Sequence, residues 1–142
     1  ENPTKYKGIK PAETERRNMK NIEQGLDREL RAVGDRIGEL ERELKEGTST
    51  NPKLARQRIR RMKVRERHIQ EQKHFSQAHQ RANKEYVDKM RDLEARKKTA
   101  DEPTKKKIDD QMTEAFEYKY RVLQGLDKFY REGNKPSFTT GN

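Results

Sequence analysis

From Lys53 to Asp101 the chain runs for about 49 residues without a proline or a glycine, and no other feature constrains its fold as strongly. An unbroken helix over that span is roughly 70 Å long at 1.5 Å per residue, too long to fold around a core of its own. Its partners must come from the flanking segments. Apolar residues recur at helical spacing at the start (Ala55, Ile59, Met62, Ile69) and at the end (Tyr86, Met90, Leu93). Between these stretches the seam passes through Glu66, Lys73 and Ser76, so the middle of the helix must be held by something other than aliphatic packing.

The segments on either side supply two more helices. Pro11 suits a helix start, and Met19, Ile22, Leu26, Leu30, Val33, Ile37, Leu40 and Leu44 follow at spacings of three and four. Gly47 suits the left-handed position after a helix, and Asn51 with Pro52 makes a cap and a first residue for the next one. Asp101 and Pro103 mark a third start, with a stripe of Ile108, Met112, Ala115, Phe116, Leu123, Leu126 and Tyr130. Turns this short fold neighbouring helices back antiparallel. The expected fold is all-α: three long helices over about 11–46, 52–98 and 103–132, paired as elongated coiled-coil-like hairpins with the second helix as spine. Extended arms are expected at 1–10 and 134–142. The arms and the start at Glu1 suggest a piece of a longer chain.

The turns also set the register. Leu44 comes opposite Ala55, Leu40 opposite Ile59, Ile37 near Met62 and Leu30 near Ile69, while Phe116 comes opposite Tyr86. These residues are the candidate seam contacts. A small three-helix core is expected near Phe75, Ala78, His79 and Ala82, with Leu123 and Leu126 reaching it from the third helix.

Composition limits what such helices can do. Charged residues make up 42% of the chain and hydrophobic ones 27%, with no cysteine and no tryptophan, which is too little apolar material for an ordinary globule of this size. The missing cysteine removes thiolate metal sites and thiol catalysis. No apolar run approaches the roughly 20 residues of a membrane span, so the chain is expected to be soluble, intracellular or inside a particle.

The net charge of +10 is not spread evenly. The first and third helices are each within two charges of neutrality, and the whole excess lies on the second. Lys53, Arg56, Arg58, Arg60, Arg61, Lys63, Arg65 and Arg67 are opposed within their own stretch only by Glu66. Arg56, Arg60, Lys63 and Arg67 fall on one flank of the seam, and Arg58, Arg61 and Arg65 on the other. Clustered guanidiniums can bind phosphate or carboxylate bidentately and release counterions from a polyanion. They can equally pair with Glu39, Glu41, Glu43 and Glu46 at the same end of the hairpin, although four acids cannot neutralise eight cations. No aromatic lies between Tyr6 and Phe75, so the band has no stacking platform for single strands.

A search for chemistry finds none. His68, His74 and His79 lack the four-residue spacing that places two imidazoles on one helical face, Asp109 and Asp110 diverge on a helix, and no serine sits in a glycine elbow. No catalytic residue, metal or cofactor is expected. Gly34 and Gly38 form a G-x-x-x-G that either lets another helix approach or is tolerated flexibility, and the surplus of Tyr118, Tyr120, Phe129 and Tyr130 suggests an outward contact. The reading that results is a non-enzymatic structural or assembly component of a larger complex, such as a virion interior or a ribonucleoprotein particle. It would bind protein partners through seams and basic band, with oligomerisation open. The alternative is a nucleic-acid-binding module using the band on phosphate backbone.

Overall fold

The computed structural model describes residues 8–130. It contains three helices, α1 (Ile9–Glu46), α2 (Pro52–Lys98) and α3 (Glu102–Lys128), and no strand among the described residues. The expected all-α hairpin arrangement is the one observed, and α2 is unbroken over 47 residues. Most of the two expected arms lies outside the described residues. Ile9 and Lys10, counted with the first arm, are helical instead: α1 begins two residues before Pro11, which is accommodated in the first turn where its missing N–H costs nothing.

The turns follow from their sequences. Gly47 has φ 75°, its N–H donates to Leu44 O at 3.3 Å, and the Thr48 N–H donates to Glu43 O at 2.9 Å. That pairing satisfies the last carbonyls of α1 in the usual glycine-ended manner. Asn51 Oδ1 accepts from Leu54 N at 3.1 Å and Asp101 Oδ1 from Thr104 N at 2.9 Å, each satisfying an orphan donor of the helix it precedes. Hydrogen bonds from the Thr104 side chain and then from its backbone N–H hold the Asp101 carboxyl below its ordinary pKa.

The described residues form two compact units, one of residues 21–74 and one of 8–20 with 75–130. In the first, α1 and α2 make a two-helix hairpin whose core is Ile37, Leu40, Ala55 and Ile59, with Val33, Leu44 and Met62 packed against it. This is the cluster expected from the register. Farther along, Ile69 is fully buried and Leu30 half-buried. Lys73, on the seam where no aliphatic is available, reaches Asp27 Oδ1 at 2.8 Å, and that bond raises the lysine pKa.

In the second unit, the first turns of α1, the later half of α2 and α3 share a core of Ala12, Tyr86, Val87, Met90, Leu93, Ile108 and Met112. Phe116 packs at its edge, its ring 6.2 Å from that of Tyr86 in an edge-on arrangement, as the register anticipated. The expected three-helix core around Phe75 and Ala82 is displaced toward Tyr86 to Leu93. Phe75, Ala78, Ala82, Leu123 and Leu126 are only half-buried, because the α2 positions buried in that region are polar. Ser76 Oγ donates to Met19 O at 2.6 Å, His79 is buried with Nδ1 3.7 Å from Glu15 Oε2, and Asn83 Nδ2 donates to His79 O at 3.2 Å. Of these contacts the Ser76 bond to Met19 joins the two helices, whereas the Asn83 bond lies within α2; a single hydrogen bond fixes position while adding less than an aliphatic layer would.

Candidate functional site

Lys53, Arg56, Arg58, Arg60, Arg61, Lys63, Arg65 and Arg67 all lie in the 21–74 unit on α2, and every one is exposed. The seam positions beneath them, Ala55 and Ile59, are buried, so the packing against α1 leaves the two flanks and the back of α2 in solvent. Among the described residues two of the eight cations are paired. Lys63 Nζ meets Glu41 Oε2 at 3.2 Å, and Arg65 bonds Glu29. Each of these pairs takes one cation from one flank. Among the described residues Lys53, Arg56, Arg58, Arg60, Arg61 and Arg67 form no ion pair.

Of the four glutamates that could pair with the band, Glu41 alone does so among the described residues. Glu39 is engaged by Arg36 of its own helix at 2.9 Å, one turn away, and neither Glu43 nor Glu46 pairs with the band. Glu29, which the sequence did not single out, takes part instead; the register that sets Leu30 near Ile69 leaves it about five residues out of level with Arg65, and the two long side chains span the offset. The carboxylate inside the band, Glu66, is half-buried, with Oε2 3.7 Å from where a Cβ on Gly34 would stand. It is thus turned toward α1, and the outward surface from Lys53 to Arg67 carries no acid.

Among the seam contacts Ile37, Leu40, Ile59 and Tyr86 are buried, while Leu30, Leu44, Met62 and Phe116 are half-buried. No helix of the described chain lies over Gly38, whose added Cβ would meet nothing within 4 Å, so the G-x-x-x-G is not explained by close packing within the chain. His74 is exposed, whereas His68 is half-buried and engaged. Tyr118, Tyr120 and Phe129 are more than half exposed, whereas Tyr130 packs edge-on against Phe75 at 5.4 Å.

One arrangement was not anticipated from the sequence. Lys119 Nζ stands 4.6 Å over the Tyr86 ring and 5.5 Å from that of Phe116, beside a cavity of about 480 Å³ lined in part by Tyr118 and Val122. Burial pushes the Lys119 ammonium pKa down, partly offset by Glu15, and burial pushes the Tyr86 hydroxyl up to about 12 with a contribution from Glu94. Phe116 and Lys119 are one turn apart, which is the spacing that could have revealed the pair. The cation over the two rings ties α3 to α2 within this unit.

Among the described residues no group of three or more metal-ligating side chains comes together, and no helix is long and apolar enough to cross a membrane. Compared with protein-family models, curated proteins and solved structures, the chain matches none.

Proposed function

We propose that this chain is a non-enzymatic helical component of a larger macromolecular assembly, attached to an anionic partner through the basic band of α2. One observation carries the reading: six cations within fifteen residues are exposed and unpaired, although carboxylates on α1 lie close enough to engage two others. Surface ion pairs within the hairpin contribute little to its stability, typically 0–1 kcal/mol each. Six neighbouring charges left without partners repel one another, and an anionic surface relieves that repulsion. The exposed aromatics Tyr118, Tyr120 and Phe129 at the end of α3 offer a second place of attachment, to protein.

A virion interior or a ribonucleoprotein particle is a setting that combines polyanion with many protein neighbours. The test replaces Arg56, Arg60 and Arg67 with glutamate, which removes free charges from one flank and spares Lys63 and its bond to Glu41. Expressed in the parent organism, the wild-type chain should fractionate with particles much larger than itself, and the variant should fractionate as free chain while keeping its helical circular dichroism. A wild-type chain that fractionates alone refutes the reading, as does a variant that stays in the particle.

A further inference from the structure

Taking the anionic-partner reading as its basis, we infer that the partner is double-stranded B-form DNA, with α2 lying in the major groove and its two cationic flanks on the two phosphate strands. At 100° per residue Lys53, Arg56, Arg60 and Arg67 fall within an arc of about 60°, and Arg58 with Arg61 within another of about 60°. The centres of these arcs stand about 140° apart across the outward face of the helix, with the buried seam of Ala55 and Ile59 on the remaining side.

Such a division selects among polyanions. A single acidic helix, or one edge of an acidic protein, can engage one flank and leaves the other unpaired. Two anionic ridges on either side of the helix engage both. The major groove of B-DNA is about 12 Å wide between its phosphate ridges, and an α-helix with its side chains is about 10–12 Å across. Between the flanks the outward face carries Gln57 and the exposed Val64, with no carboxylate, so nothing repels the floor of the groove. Glu66, the acid that could have done so, is turned toward Gly34 of α1.

Other nucleic acids fit less well. Single strands are gripped by aromatic stacking as well as charge, and the 21–74 unit contains no aromatic residue. The major groove of A-form RNA is too narrow for a helix to enter. The unpaired cations extend over about 21 Å of helix axis, long enough to follow the groove for more than half a turn of duplex.

The experiment is fluorescence anisotropy with the complete chain and a labelled DNA duplex of about two helical turns. Double-stranded RNA, single-stranded DNA and polyglutamate serve as competitors, from 50 to 200 mM salt. With six unpaired cations on phosphates, log K against log salt should have a slope of about −5. Arg56→Glu with Arg60→Glu, on one flank, and Arg58→Glu with Arg61→Glu, on the other, should each flatten that slope by about 2. The corresponding glutamine variants, which avoid new repulsion within the hairpin, should flatten it similarly with helicity intact. If only one flank matters, or if polyglutamate or RNA competes as well as the duplex does, the groove inference is overturned while the anionic-partner reading stands. If neither duplex nor polyglutamate binds at 50 mM salt, both fall.

Discussion

Leu40→Ala tests whether the chain is held together by two separate cores. Leu40 is 4% exposed and packs with Ile37, Ala55 and Ile59. Truncating a buried leucine removes the transfer energy of its methyl groups and leaves a cavity, costing about 2.7–5 kcal/mol in well-packed sites. Here the cluster is edged by the half-buried Val33, Leu44 and Met62, and a flexible methionine can move into part of the space, so the lower end of about 3 kcal/mol applies. A two-helix hairpin whose core cluster holds four buried apolar residues, with Ile69 buried farther along, has little stability to spare, and a loss of that size should shift its urea midpoint by about 2 M for a slope near 1.5 kcal/mol/M. The other core shares no residue with this one. All five tyrosines lie outside residues 21–74, so tyrosine fluorescence follows the other unit alone while circular dichroism at 222 nm follows both. The variant should therefore show a dichroism transition split in two, with the fluorescence midpoint nearly unmoved. Ile59→Ala should act similarly, and the double mutant should fall short of additivity by at least about 0.5 kcal/mol if the two side chains touch. Equal displacement of both signals would refute the separation of the cores, and an unchanged dichroism midpoint would refute the packing of Leu40.

Further expectations follow from the other unit. Ser76→Ala removes the 2.6 Å bond to the Met19 carbonyl and should destabilise by about 1 kcal/mol, read by thermal melting; no change would mean that the bond adds nothing. Gly8→Ala places a Cβ 2.9 Å from the Tyr86 hydroxyl oxygen and 3.3 Å from its ring, which should cost about 1–3 kcal/mol, whereas Gly38→Ala meets nothing and should stabilise α1 by up to about 1 kcal/mol. The raised Tyr86 pKa means that between about pH 10 and 12 the unfolded chain has released a proton that the folded chain retains. Stability from this group is complete below pH 10 and is lost as pH rises toward 12. One tyrosine should thus ionise late in a 295 nm titration, and Tyr86→Phe should remove that late step; simultaneous ionisation of all five would contradict the burial.

How far the sequence could be read depended on which force fixed each feature. Helix ends were legible because proline, glycine and the capping side chains act on their immediate neighbours: α2 runs from Pro52 to Lys98, and Gly47, Asn51 and Asp101 make the turns their chemistry requires. Register was legible through the short loops, which put Leu40 with Ile59 and Phe116 with Tyr86. The three-helix core was misplaced by about three turns, since its position depends on Ala12, a small residue whose apolar surface gives almost no periodic signal, packing in the same cluster as Met90 and Leu93. Charge pairing was the least legible. Arginine and glutamate side chains each reach several partners, so Glu39 could be taken by Arg36 one turn away before the band could compete for it. Glu39, held by Arg36 on its own helix, does not reach the band, and six of the band's eight cations stay exposed with no ion pair among the described residues. A sequence count gives the sum of those charges, whereas their division between two flanks of one helix exists only once the seam and its direction are known.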